Sequence, residues 1–368
     1  MTKIMTDIRK LAEAFARPTL LFYALPWLML LLVLGTIAQR YIGLYQSQKI
    51  FFGSFVLWVG FFPLPGAYTT LGIIALGLCA KLLLKSPLKK HKAGTLIAHA
   101  SMLLLLLGGL ITAISREEGY MVLGDNDSSH QVLDYHQREL AIIKNGDVVE
   151  AIPHGELHIG KVITDPGIPF SITISNYCYQ CKATARQNPD ISLRGLAAKM
   201  DITSAPLDQE DAKNQSGVVF SISGASKEAD GSYLSYEALN QQPEFTIGKD
   251  KYQVLMRQSE RDIPFTIHLL HFDKVEYPGT NVARSYQSQV EVIDGALKWN
   301  ALIEMNQPLR YRGYTLYQSS FIENDGKLFT VLAVVKNSGA LFPYLAVLTL
   351  CIGLVIHLII VFSRKKVL

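Results

Sequence analysis

The chain has 368 residues, 49% of them hydrophobic and only 18% charged, with a formal net charge of +4. A wholly soluble domain carries roughly 25% charged residues, so the composition excludes an ordinary soluble globular protein. The basic residues gather beside apolar blocks rather than forming one polar face, which points to membrane topology and argues against a nucleic-acid partner.

In chain order, the first apolar block is Thr19–Ala38, close to the ~20 residues that a spanning helix needs. Arg9, Lys10 and Arg17 precede it. No A-x-A-like site follows "LVLGTIAQ", so the block reads as an anchor rather than a cleaved signal peptide. Phe51–Leu84 is too long for one helix and is interrupted by "PLPG" at Pro63–Gly66. The crossing is placed at Tyr68–Leu84. Phe51–Phe62, with Trp58, reads as an interfacial or re-entrant piece, because aromatic residues favour the headgroup zone. Lys81, Lys85, Lys89, Lys90 and Lys92 crowd the next turn-around, and Ala93–Ile114 is the third span. The last span is Gly339–Phe362, followed by Arg364, Lys365 and Lys366. Four crossings bring the three basic clusters to one side, which the positive-inside rule assigns to the cytoplasm together with both termini.

From Arg116 to Ser338 the composition turns polar, and the topology puts this stretch outside the cytoplasmic membrane. Its pattern is strand-like. In "ALKWNALIEMN", Leu297, Trp299, Ala301, Ile303 and Met305 alternate with polar neighbours, Leu302 excepted, which predicts one buried and one wet face. The preceding Asp294–Gly295 is a hairpin signal. Further strands are expected at Glu139–Lys144, Phe170–Tyr177, Gly217–Ile222, Lys251–Gln258, Phe265–Val275, Tyr314–Phe321 and Leu328–Val335. Arg186–Ser216, polar and aperiodic, is expected as a long loop. The fold class is thus an α+β membrane protein. Residues 1–115 carry three transmembrane helices, 116–338 form a large extracytoplasmic antiparallel β-domain (a sandwich or two small β-domains), and 339–368 add the fourth helix and a basic tail.

Cys178 and Cys181 form "CYQC" in the outer region, where an oxidising compartment permits a disulfide. A local bridge, free thiols and a redox pair are all readings of this motif. The redox reading lacks the helix N-terminus that commonly stabilises a thiolate. Cys79 and Cys351, inside spans, read as small apolar groups.

His99 interrupts the third span and His357 the fourth. Polar residues in spans are costly, face protein and tend to mark function. Each lies about six residues in from its basic boundary, roughly 9 Å at the helical rise. The two rings therefore fall at one depth near the inner face, although their helices run in opposite directions. Haem ligation, a bond between helices and a proton relay all need such a residue. The remaining histidines are weaker candidates. His91 reads as solvated. His154 and His158 in "HGELH" lack the glutamate that must directly follow the first histidine of HExxH. His268 and His271, an odd number apart, would point to opposite faces of a strand. No Walker loop, nucleophile elbow or dinucleotide fingerprint is present, which argues against a self-contained hydrolase or nucleotide-driven machine.

Several of these stretches resemble the ResB (also CcsB) family of System II cytochrome c biogenesis. They are "LGTIAQRYIGLYQSQKIFF", "KAGTLIAHASMLLLLLGGLIT", "IPFTIHLLHFDKVEYPGT", "SQVEV", "MNQPLRYRGYTLYQSSF" and "VVKNSGALFPYLAVLTLCIGLVIHLI". Ser338 departs from the proline common there in the family. The resemblance implies a non-autonomous subunit that pairs with a ResC/CcsA-type membrane protein and helps carry haem b to apocytochrome c, with a thioredoxin-like reductant as a further partner. It implies that His99 is an axial ligand of haem held in the membrane, opposite a histidine of the partner. The residues themselves add His357 as a candidate for the second ligand, and Lys90, Lys92 and Arg364 as candidates to meet the haem propionates. Thioether chemistry is expected mainly in the partner, because the three tryptophans here, Trp27, Trp58 and Trp299, are scattered. A haem-free membrane-anchored scaffold or sensor, and a proton-coupled transporter using His99 and His357, are the competing functions.

Overall fold

The first apolar block folds as α1, Pro18–Ile42. Pro18 stands in the first turn, where its missing N–H costs nothing. The helix stops at Gly43, whose positive φ of 79° lets its N–H reach the Gln39 carbonyl. The computed structural model describes residues 13–85, 89–187, 190, 192–239, 241–280 and 282–365. Arg9, Lys10 and Lys366 of the basic clusters lie outside these residues, as do the side chains of Lys85, Arg364 and Lys365.

After Gly43 the chain turns back along α1. A helical turn, Leu44–Ser47, leads into a π-turn, Gln48–Phe52. The Ser47 hydroxyl donates to the Gly35 carbonyl (2.6 Å), and Phe51 and Phe52 pack where Gly35 has no side chain. An antiparallel hairpin follows, Val56–Val59 with Phe62–Pro65. Leu57 tucks against Leu31 and Ala67, and the Trp27 indole donates to the Pro65 carbonyl (2.8 Å). The expected interfacial piece is therefore a returning hairpin. It shows Trp58, Phe61 and Phe62 at 65%, 96% and 75% exposure.

The second span is α2, Ala67–Ala80, prolonged by a π-turn at Lys81–Lys85. The third is α3, Ala93–Ser115, and the fourth α4, Phe342–Lys365. All four helices are long and apolar enough to cross a membrane. The last begins at Phe342 rather than at Gly339 because Asn337 holds the preceding turn. Its Oδ1 accepts from the Gly339 N–H (2.8 Å) and from the Thr112 hydroxyl (3.1 Å).

Helices α3 and α4 meet along small residues spaced by sevens. Gly94, Ser101 and Gly108 are buried on α3, facing Gly339, Ala346 and Gly353 of the opposing segment. The backbones nearly touch there. A Cβ on Gly94 would lie 2.6 Å from both the Gly353 carbonyl oxygen and His357 Cα. Small-residue seams of this kind let spanning helices gain dispersion contact where lipid offers no hydrophobic drive.

The chain divides into two compact units. One holds the helices, to Glu117, with Arg310–Tyr314 and Val335 onward; the other holds Glu118–Leu309 and Thr315–Val334. The second unit is built on a large sheet. Its strands run in the order Leu297–Glu304, Ala283–Asp294, Asp250–Glu276, Ser128–Lys144, Glu117–Gly124, Lys327–Lys336, Tyr314–Asn324 and Leu309–Tyr311. A four-stranded sheet, with Ser171–Cys178 and Gly217–Ser223 at its centre, supplies the second layer. Leu140, Ile142, Val254 and Met256 from the first sheet share one core with Ile172 and Phe220 from the second. This is the expected antiparallel sandwich, over part of the large sheet.

Three sequence expectations need correction. The two strands expected at Lys251–Gln258 and Phe265–Val275 are one 27-residue strand, Asp250–Glu276. It pairs with Ser128–Lys144 in its first half and mainly with Ala283–Asp294 in its second, and Pro264 falls in the irregular stretch between. A proline without an N–H is tolerated at such a break. Next, the expected loop Arg186–Ser216 contains the strand Met200–Ser204, paired with Cys181–Ala185 because Ile202 reaches a small core beside the two cysteines. Lastly, a bulge at Leu270 inserts one extra residue between Leu269 and His271. An extra residue reverses the alternation, so His268 and His271 share the outer face while Leu269 and Phe272 stay buried. The alternation at Leu297–Met305 holds at Ile303, which is fully buried, and frays at Leu297, 55% exposed at the start of this edge strand, and at Met305, 46% exposed in the turn just past its end.

Candidate functional site

The span histidines are positioned by one residue, Thr95. The His99 Nδ1–H donates to the Thr95 carbonyl (2.7 Å), one helical turn back on α3. The Thr95 hydroxyl lies 3.4 Å from His357 Nδ1 on α4. The two imidazoles thus sit at the same level of the helix pair, as their sequence depths predict. They do not share one partner atom. His99 follows Gly94 by five residues, about 140° round the helix. It therefore turns away from the α3–α4 seam and toward Lys81 at the end of α2, whose Nζ is 3.4 Å from His99 Nε2. His357 is exposed on α4.

This arrangement fixes the chemistry of the His99 ring. A backbone carbonyl accepting from Nδ1 selects the tautomer in which Nε2 carries the lone pair. The same carbonyl support is the usual outer-shell device that orients a metal-ligating histidine. Lys81 donates to that lone pair. Lys90 and Lys92, in the short turn before α3, are exposed. No group of three or more histidine, cysteine or acidic side chains suited to a bare metal ion occurs among the described residues. His154 opens a 3₁₀ turn, His154–Glu156, and His158 follows it, so the two do not share the helix that a zinc-protease pair needs.

Cys178 and Cys181 are joined in a disulfide, with Cα atoms 5.5 Å apart. They close the turn between Ser171–Cys178 and Cys181–Ala185 and are only 5% and 4% exposed, packed with Ile202 and Leu234. Exchange chemistry needs an accessible sulfur, and burial in this core gives the bridge the character of a staple.

A polar cluster that the sequence reading did not single out lies beside this turn. Arg138 is completely buried, its Nε on Glu237 (2.9 Å) and its second amine donating to the Asn214 carbonyl (3.3 Å). His136 Nδ1 is 2.6 Å from Asp211 Oδ2, which also accepts from the Tyr179 hydroxyl (3.1 Å). Burial pushes the Asp211 carboxyl up, but the bonds from His136 and Tyr179 and the Arg138 charge outweigh it and hold the group below the ordinary carboxylate range. Burial pushes the Tyr177 hydroxyl, near Arg138 and Glu237, up to about 12. The sequence signal was faint: "DYHQRE" looks like an exposed strand face until its partners arrive from residues far along the chain.

Four helices long and apolar enough to cross a membrane, with a large antiparallel β-domain between the third and fourth, define the class as a helix-anchored β-domain protein of membrane type. Residues 231–328 match the model of the ResB-like family, which supports assigning the chain to the ResB/CcsB family. The matched stretch contains "IPFTIHLLHFDKVEYPGT" and "MNQPLRYRGYTLYQSSF" and lies outside the span histidines. No curated protein matches the chain.

Proposed function

We propose that the chain is the ResB-type membrane subunit of a System II cytochrome c synthetase, helping to move haem b across the membrane for attachment to apocytochrome c. One observation carries the reading: His99 is an imidazole within a span, with Nδ1 tied to the Thr95 carbonyl and Nε2 left as the acceptor atom. That is the donor form iron takes from histidine. The family match supports the same reading from a separate part of the chain.

On this reading His99 supplies one axial ligand, and the ResC/CcsA-type partner supplies the other. The turn of His99 away from the α3–α4 seam favours a ligand from outside the chain over His357. The basic clusters support a topology with the termini and the histidine end of the spans on the cytoplasmic side and the β-domain on the extracytoplasmic side, where on this reading it meets apocytochrome c and a thioredoxin-like reductant. Thioether formation belongs mainly to the partner. What this chain contributes is an oriented imidazole for haem and an anchored domain at the exit.

The test is the visible spectrum of the complex copurified with its ResC-type partner, in wild type, His99→Ala and His357→Ala. Bis-imidazole bands lost only with His99→Ala are the expected result. Loss with either change would make His357 the second ligand. Equal haem in all three would overturn the reading.

A further inference from the structure

We propose that Lys81 is the cation that meets a haem carboxylate beside His99, an assignment that rests on the haem reading above. Lys81 lies three residues inside the end of the apolar stretch Ala67–Leu84. A lysine within a span is costly and is retained where it meets a counter-charge, a carbonyl or a cargo. Among the described residues Lys81 forms no ion pair, and its polar contact is His99 Nε2 at 3.4 Å.

That contact cannot outlast ligation. Because His99 Nδ1 donates to Thr95, Nε2 has one lone pair, and Lys81 and iron compete for it. Were iron to take the lone pair, the ammonium would lose the one polar contact it makes to a described residue. The iron porphyrin that displaces it brings two carboxylates on the same ring. A lysine has a flexible four-carbon stem and three donors, so its ammonium can swing from the imidazole to a ring-edge carboxylate without moving the helix. Lys81 also opens the π-turn Lys81–Lys85. Such widened turns are concentrated at functional sites. Of the cations expected from the sequence for this role, Lys90 and Lys92 are exposed on a separate turn, and the side chain of Arg364 lies outside the described residues. Lys81 is thus a positioning residue. It caps the ligand atom before haem arrives and neutralises the cargo afterwards.

The test compares two probes on the copurified complex, iron protoporphyrin IX and its dimethyl ester, whose carboxylates cannot ionise. Binding is read by absorbance titration in wild type, Lys81→Met, Lys81→Arg and His99→Ala. A hydrogen bond to a charged group is worth enough to change affinity about tenfold or more. Wild type and Lys81→Arg should therefore prefer the free acid by at least about that factor, and Lys81→Met should bind both probes alike. Lys81→Gln repeats the measurement if the methionine chain does not purify. A Lys81→Met or Lys81→Gln complex that keeps the wild-type preference overturns the proposal, as does a wild type with none. Failure of the haem reading looks different: His99→Ala would then bind both probes as wild type does.

Discussion

Substituting Gly94 by alanine tests the seam that sets the span histidines at one level. The added methyl would stand 2.6 Å from the Gly353 carbonyl oxygen and from His357 Cα, about 0.8 Å short of ordinary contact at 3.4 Å. Both obstacles are backbone, so no rotamer change relieves them and the helices must separate. Overpacking costs about 1–3 kcal/mol, and backbone obstruction belongs at the upper end. Alanine returns at most about 1 kcal/mol through helix propensity. A net loss of about 2 kcal/mol is expected. Gly109, on the same helix, is the control, because a Cβ there meets nothing within 4 Å. Gly109→Ala should be neutral or stabilising by up to about 1 kcal/mol. Thermal unfolding of the full chain in one detergent, followed by loss of monodisperse protein, should rank Gly94→Ala below wild type and Gly109→Ala at or above it. Equal stability of the two variants would refute the close approach of α3 and α4.

Glu237→Ala leaves the guanidinium of Arg138 buried without its carboxylate, and breaking a buried pair from one side costs about 3–5 kcal/mol. Hydrogen exchange across Ser128–Lys144 should rise accordingly, and unchanged protection would contradict the assignment. The depressed Asp211 carboxyl should make the β-domain acid-sensitive. Its contribution is fully present above the unfolded value of about 3.9 and disappears as pH falls through the lower folded value. Asp211→Asn should flatten the stability profile in that window, which pH-dependent denaturant titration measures. The Cys178–Cys181 bridge closes a very short loop, so replacing both cysteines by serine should cost no more than about 2 kcal/mol. Cytochrome maturation should survive that change, and its abolition in a stably folded variant would restore a redox role.

What the sequence made legible follows from how local each signal is. The four spans were readable because each carries its own hydrophobicity, and only the ends moved, where Asn337 holds a turn that composition cannot reveal. The two-residue hairpin after Asp294 was readable because Gly295 supplies its own positive φ of 58°. The depth of His99 and His357 was readable by counting along helices. Their partners were not. Lys81 and Thr95 become neighbours only through packing of separate elements, and lysines near a span end look alike until one of them bonds to a ring. The bulge at Leu270 escaped for a similar reason. A run of "IHLLHF" alternates plausibly in either register, and the partner strand decides which residue is squeezed out. Arg138 was hidden by distance: its carboxylate lies 99 residues away.

The sheet order carries a consequence for how the helices find each other. The strand leaving α3, Glu117–Gly124, and the strand leading back to α4, Lys327–Lys336, are neighbours in the large sheet. Once that pairing forms, roughly 220 residues of chain no longer count as slack between the two spans, which remain tethered only through Arg116 and residues 337–341. By the logarithmic law for ring closure, shrinking the effective tether to about six residues removes about 3 kcal/mol of entropic resistance. A folded β-domain thereby acts as a hasp for α3 and α4. Damage to it should loosen the helix pair that holds Thr95 between the two imidazoles, even when every intramembrane residue is intact.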